Sequence, residues 1–444
     1  MGSAHDFFDP FFVPSDDEAL TFFSDISPWV AFATASDGVS LPIEGQGTIA
    51  VLAELEKEGS LTFTVQNEQK TVTLTFTAKP KSCNLQFNSS SEEQILLEEI
   101  PLTLIPTRVP GDYIFPQKKI PYWLSIDKNY GRIRFGTRMV NNRMTLVEAQ
   151  LKEKKDKGVW EWKEKQYKVL EKLKIVKVEP NEKISQTRIN RLPVVRDLPP
   201  VVASTDGVTL GELDSGTRVV FADLPTACQT LYHNVAGPKI VLNTSEFPDF
   251  YNAIHRSVIT PGCWAYNKLK EKSKDHDPAN GYLRITVGPN MVIASTVHED
   301  AVLIVPQGNS PGVPYVMEIW PPGNSSPIHD HGNASAIIKV LEGQIDCTYY
   351  DSIDVGKPIV IGSVTFNKGA VTWLGEKQYQ IHMLKNKYHM TCVTIQCYRY
   401  EDSDDQHSEF FRFIKDNKIT NFAPNSDIQF SEFEEKMRHE WDQQ

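Results

Sequence analysis

Two histidines one residue apart, in Gly323-Asn324-Ser325-Ser326-Pro327-Ile328-His329-Asp330-His331, constrain this chain more than any other feature. Successive side chains of a strand point to opposite faces of its sheet, so His329 and His331 share a face. A third histidine on a distant strand can then close a triangle around one metal ion, and His382 in His382-Met383-Leu384-Lys385-Asn386 is placed to do so. A His-x-His pair alone is more often surface or core histidine than ligand. The flanking Gly323 and Gly343 and the third histidine set this pair apart. Three neutral imidazoles without a carboxylate leave a divalent iron open positions on one face, where a substrate and dioxygen can sit side by side. Asp330 has the opposite parity and is expected to point away, orienting groups behind the ligands.

This stretch resembles the cupin superfamily: Gly323, His329-Asp330-His331 and Gly343 follow its first motif, and His382 with Asn386 the end of its second. Within that superfamily the closest resemblance is to the cysteine dioxygenase family of thiol dioxygenases. It rests on the strand Tyr315-Val316-Met317-Glu318-Ile319-Trp320, on Gly323, Ser326 and Ile328-His329-Asp330-His331, and on Ser335, Lys339, Leu341 and Gly343. The resemblance implies a cupin β-barrel with flanking helices, Fe(II) as the cofactor, and oxidation of a thiol by O2 to a sulfinate. The seat usually held by a fourth, glutamate ligand falls on Ala336. So does the seat of the cysteine that animal members join to a tyrosine, so that crosslink cannot form here.

The tyrosine itself corresponds to Tyr398, the implied catalytic hydrogen-bond donor beside the metal. Gln396 shares its strand face and is expected as its inward neighbour. Trp373 is expected to pack the wall of the site. Laying Gln307-Gly308-Asn309 on the family's loop puts Val302 where cysteine-specific members carry an arginine that forks onto the substrate carboxylate. Lys339 and Arg399 are no replacement, so free cysteine is not the expected substrate.

The rest of the chain bounds this reading. At 444 residues, with 40% hydrophobic and 23% charged residues, it has room for two or three soluble domains. A net charge of −11 argues against nucleic acid as a partner. No run of eighteen apolar residues suggests a membrane span, and the first residues lack the basic and apolar pattern of a signal peptide. A cytoplasmic protein with reduced thiols is expected, because the six cysteines contain no Cys-x-x-Cys pair.

Residues 1–190 read as a β-sandwich, jelly-roll or lectin-like, from short alternating strands such as Leu61-Thr62-Phe63-Thr64-Val65 and Tyr122-Trp123-Leu124-Ser125-Ile126. Residues 191–300 read as a mixed α/β segment, with a boundary at the prolines of Leu192 to Pro200, a buried strand at Arg218 to Ala222 and a capped helix at Ser245 to His255. The cupin core is expected over 301–400. An acidic extension over 401–444 follows, with amphipathic helices around Phe410 to Ile414 and Phe430 to Phe433, packing on the cupin or at a homodimer contact. Two other readings remain open: a three-histidine metal cupin acting on a non-thiol substrate, as oxygenase or lyase, and a lectin-like binding protein without turnover.

Overall fold

The computed structural model describes residues 29–32, 38–89, 95–99, 103–104, 119–129, 131–138, 140, 144–154, 160–162, 170–194, 201–215, 219–273, 275–277, 280–288, 315–331, 334–353, 358–375, 381–399, 411–416, 418–422 and 426–443. Val302 lies outside them. The chain is mainly β and divides into two compact units, with the division between Asp197 and Leu198.

The first unit is a sandwich of two antiparallel sheets. One has seven strands, in the order Trp29–Phe32, Ile184–Asn190, Gln46–Glu54, Lys119–Asp127, Arg132–Thr137, Thr145–Gln150 and Thr103–Leu104. The other has six, including the neighbours Leu61–Gln66 and Val72–Lys79. Apolar residues at every second position of these two strands are buried while the threonines between them are partly exposed, which is how a period of two covers one face of a sheet. Their inward residues meet those of the facing sheet in a single core, where Phe76 lies 4.8 Å from Phe135. Gly136 makes room for a ring on the outer face: a Cβ there would come within 2.1 Å of the Trp123 indole. The lysine-rich stretch forms a hairpin, Lys152–Lys154 with Trp160–Trp162.

The second unit holds the histidines. Its larger sheet contains β1 (Leu283–Val287), β2 (Tyr315–Trp320), β3 (Ser335–Glu342), β6 (Val371–Leu374), β8 (Cys392–Arg399) and β11 (Ile428–Gln429), in the order β6-β3-β8-β2-β1-β11. The smaller has β4 (Gln344–Tyr350) between β5 (Val360–Asn367) and β7 (Ile381–Lys385). A hairpin of β9 (Phe411–Lys415) and β10 (Lys418–Phe422) continues it. The expected barrel is thus two facing sheets, and among the described residues no ladder of hydrogen bonds closes them.

Helices cover the outer face of the larger sheet. α1 (Leu210–Ser215) precedes α2 (Thr226–Val235), which buries Cys228, Leu231 and Val235 at helical spacing. α3 (Phe250–Ile259) buries Phe250, Ala253, Ile254, Ser257 and Val258 in the same way. With α4 (Trp264–Lys272) and α5 (Phe430–Asp442), they enclose a core that takes Leu283, Ile285, Met317, Ile319, Val393 and Ile395 from the sheet.

Three local expectations need correction. α3 starts at Phe250 rather than Ser245, because Pro248 drives the residue before it out of helical backbone. Val219 forms only an isolated bridge to Val202, and Phe221–Asp223 is a 3-10 turn rather than strand. The segment at Phe411 is strand, since its partners along the sheet edge satisfy an extended backbone. Among the described residues, no helix is long and apolar enough to cross a membrane.

Candidate metal centre

The three histidines converge where the motif segment meets β7. His329 forms a bridge with His382, each backbone N–H donating to the other's carbonyl at 2.9 and 3.0 Å. On its other side His329 bridges Phe413, with Asp330 N–H donating to Arg412 O at 3.0 Å and Ile414 N–H to Ile328 O at 2.9 Å. The ligand-bearing segment is therefore not a regular strand but an extended stretch held by isolated bridges between β7 and β9. Ring centroids lie 4.9 Å apart for His329 and His331, 4.5 Å for His329 and His382, and 5.2 Å for His331 and His382. One nitrogen from each ring falls within 4.8 Å of the others.

The protonation state suits a ligand set. Nδ1 of His329 donates to the Pro327 carbonyl at 2.9 Å, which leaves Nε2 with its lone pair. Burial lowers the His329 pKa against that hydrogen bond. It holds His331 well below the usual imidazole range, helped by His329, His382 and the charge of Arg284. Both rings are thus available as neutral imidazoles, the form that binds metal. Nδ1 of His331 is buried without a hydrogen-bond partner, an orphan that a bound cation or its ligands can satisfy. Three imidazoles and no carboxylate fit a borderline divalent ion such as Fe(II).

Several motif residues serve the backbone rather than the metal. Gly343 has φ +76° and approaches Thr391 O so closely that a Cβ would sit 2.6 Å from it. The fully buried Asn386 donates from Nδ2 to the carbonyls of Trp320 and Met390, both at 2.9 Å. Lys339 points away from the site and donates to the Gly237 and Ile240 carbonyls that follow α2. Asp330, 1% exposed, also points away and is ion-paired with Arg412.

A cavity of about 320 Å³ lies beside the histidines, between the two sheets. Strand parity decides what lines it. From β8 come Thr394, Gln396 and Tyr398, from β3 Ile338 and Val340, from β4 Ile345, Cys347 and Tyr349, and from β7 His382 and Leu384. The Tyr398 ring lies 5.8 Å from His331 at an interplanar angle of 22°, and Phe411 closes the corner 4.5 Å from His331. Ala336 stands opposite Tyr398 in the strand register and is fully buried, packed with Leu374, Tyr398 and Phe411. Trp373 does not form the wall. Its neighbours Thr372 and Leu374 face the cavity, while Trp373 packs into the core beneath the helices.

Val302 lies outside the described residues, but the cavity does contain an arginine, on another strand. Arg284 on β1 lines it, directly opposite Glu318 on β2, and its Nη1 donates to Glu318 Oε1. Burial works against the charge of both partners: it raises the Glu318 carboxyl against the pull of Arg284, while Glu318, Tyr398 and Tyr282 together outweigh it at Arg284 and raise the guanidinium's pKa. Tyr282 and Trp320 stack beside the pair, 4.7 Å between centroids and 5° from parallel. The missed signal was the alternation of Leu283 and Ile285 with Arg284, whose side chain turns toward the cavity rather than solvent.

No protein-family profile matches the chain. Solved structures resemble parts of it. Oxalate oxidase in complex with the substrate analogue glycolate is 21% identical over 20% of this chain and 42% of its own, with a TM-score of 0.17. The Cupin_2 domain of an XRE family transcriptional regulator from Enterobacter cloacae is 12% identical over 20% of this chain and 80% of its own, with a TM-score of 0.16. A Cupin 2 conserved barrel domain protein from Salinispora arenicola is 16% identical over 29% of this chain and 82% of its own, with a TM-score of 0.20. The aligned segment thus spans less than half of the oxalate oxidase chain.

Proposed function

We propose that the second unit is a three-histidine metal cupin that adds both atoms of dioxygen to the sulfur of a small-molecule thiol, giving a sulfinic acid. The observation that carries this reading is the ligand set: His329, His331 and His382 converge beside a cavity, and the sequence resemblance puts the seat of a fourth ligand at Ala336. Fe(II), when bound, supplies open coordination positions at which a thiol and dioxygen can meet. The reaction balances without an external reductant, because the four electrons that dioxygen accepts come from the sulfur.

The remaining roles belong to the chain. The His329 Nδ1 bond to Pro327 fixes its ring and tautomer. Tyr398, stacked beside His331, offers a phenol proton at Oη to the reacting group. Ile338, Leu374, Leu384 and Phe411 exclude water from the space next to the histidines. Gln396 and Thr394 provide polar atoms further along the same face.

Metal analysis of the purified chain, followed by oxygen uptake with a panel of thiols and with oxygen-free controls, tests the proposal. One dioxygen consumed per sulfinate formed is the expected result. An iron-loaded protein that consumes no oxygen with any thiol, yet turns over a non-thiol substrate, would overturn it.

A further inference from the structure

The charges lining the cavity are arranged unusually for a site that is to hold an anion. Arg284 and Glu318 are cross-strand partners on the cavity side of β1 and β2, ion-paired, with side chains only 8% and 6% exposed. A guanidinium in such a place is a ready fork for a ligand carboxylate. Here an internal carboxylate already takes it. Nε of Arg284 is buried without a hydrogen-bond partner, so the guanidinium still has a donor to offer a neutral acceptor. Thr394 stands opposite Glu318 on the other side, and its buried Oγ1 also lacks a partner. The other cation of the lining, Lys415, is partly exposed on the β9 hairpin. A ligand carboxylate entering this corner would meet Glu318 at short range with little water to screen it, and like charges repel strongly there.

We infer that Glu318 is the specificity-determining residue of the cavity. It permanently occupies the guanidinium of Arg284, and the cavity takes ligands whose end remote from the histidines is uncharged and hydrogen-bonding, such as an amide or alcohol, rather than a free carboxylate. Where it names a thiol as the ligand, the inference rests on the function proposed above. Where it concerns charge, it rests on the Arg284–Glu318 pair alone.

The test uses the full chain stripped of metal by a chelator and titrated calorimetrically with propionate and with its uncharged counterpart, propionamide. The wild type should bind propionamide at least about tenfold more tightly than propionate, given the cost of juxtaposed like charges. Glu318→Gln should gain about tenfold in propionate affinity, and Arg284→Gln/Glu318→Gln should lose that gain. Propionate binding to the wild type as tightly as propionamide would overturn the inference. So would an unchanged ratio in Glu318→Gln, and should that variant fail to fold, the wild-type ratio decides alone. A second arm follows the thiolate-to-metal absorption of the cobalt(II)-loaded chain, under argon, with 3-mercaptopropionate and 3-mercaptopropionamide. A band with the amide only supports both readings. Absence of a band with either thiol sinks the thiol chemistry, and the propionamide to propionate ratio then decides the role of Glu318 by itself.

Discussion

Each unit buries an arginine against a glutamate on the neighbouring strand, and the two pairs have opposite surroundings. In the sandwich, Arg134 donates from Nε to Glu148 at 2.7 Å and from Nη1 to the Val194 carbonyl, while Arg132 beside it donates to Gln150 at 2.7 Å. Burial lowers the pKa of Arg134 against the pull of Glu148. In the second unit, Arg284 faces an open volume, retains an unpartnered Nε, and is held more firmly in its charged form. An ion pair whose arginine is also tied to a backbone carbonyl fastens one strand to another. The same pair beside a cavity also decides what may enter.

The largest effects should fall on the histidines. His329→Ala, His331→Ala and His382→Ala should each cost more than about 100-fold in metal affinity and abolish turnover, since too few ligands remain. The sandwich contains none of these groups, and its unfolding should be unchanged in the same samples. Metal content alongside a urea melt checks both; a variant with full metal and activity removes the site assignment.

Removing one partner of each ion pair sharpens the comparison directly. Arg284→Met should destabilise its unit by about 3–5 kcal/mol in urea unfolding, because the buried Glu318 loses its cation, and Arg134→Met should destabilise the sandwich by less, because Glu148 is partly exposed. Replacing both partners, as in Arg134→Met/Glu148→Leu, should recover most of the loss. Arg134→Met should leave metal content and propionamide binding at wild-type values. A change in either would erase the distinction between fastening and selecting.

A smaller, purely steric effect is expected in the sandwich. Gly136→Ala would drive a methyl into the Trp123 ring, 2.1 Å from where its Cβ must sit, at a cost of about 1–3 kcal/mol. Unchanged stability would mean that the outer face of that sheet is looser than its packing suggests.

The smallest prediction concerns pH. Burial tends to raise the Asp346 carboxyl, but Lys387, Thr365 and Tyr388 more than offset it and lower its pKa. Tyr388 Oη and Thr365 Oγ1 donate to it at 2.9 and 2.8 Å. A depressed folded-state value means stability that is complete above the unfolded pKa and lost as pH falls through the folded one. Asp346→Asn should therefore narrow the stability difference between neutral and acid conditions, by less than about 1 kcal/mol because Lys387 is exposed. An unaltered acid limb of the melting curve would count against it.

The sequence carried the site unevenly, for physical reasons. Ile328-His329-Asp330-His331 and the parity of Gln396 with Tyr398 were readable because a strand fixes alternation by itself. Phase is harder: Trp373 and Thr372 differ only in which face they take, and nothing local says which face is the cavity. Nothing in the sequence marks Arg284, because the partner that defines its role, Glu318, is brought to it only by folding. Phe411-Arg412-Phe413-Ile414-Lys415 is a short run that fits a helical and a strand period alike. Its backbone partner at Ile328 and Asp330 settles the matter, and that pairing is invisible in one dimension.

That last pairing has a thermodynamic consequence. The segment bearing His329 is held on one side by β7, which carries His382, and on the other by the hairpin starting at Phe411. Whatever favours the closed triangle of imidazoles must also favour docking of the hairpin, since the two share one segment, and the coupling is reciprocal. Chelation should thus quicken amide exchange at Asp330 and Ile414, neither of which touches the ion. Loosening the hairpin should in turn weaken metal retention, making the C-terminal part of the chain a gauge of whether the centre is loaded.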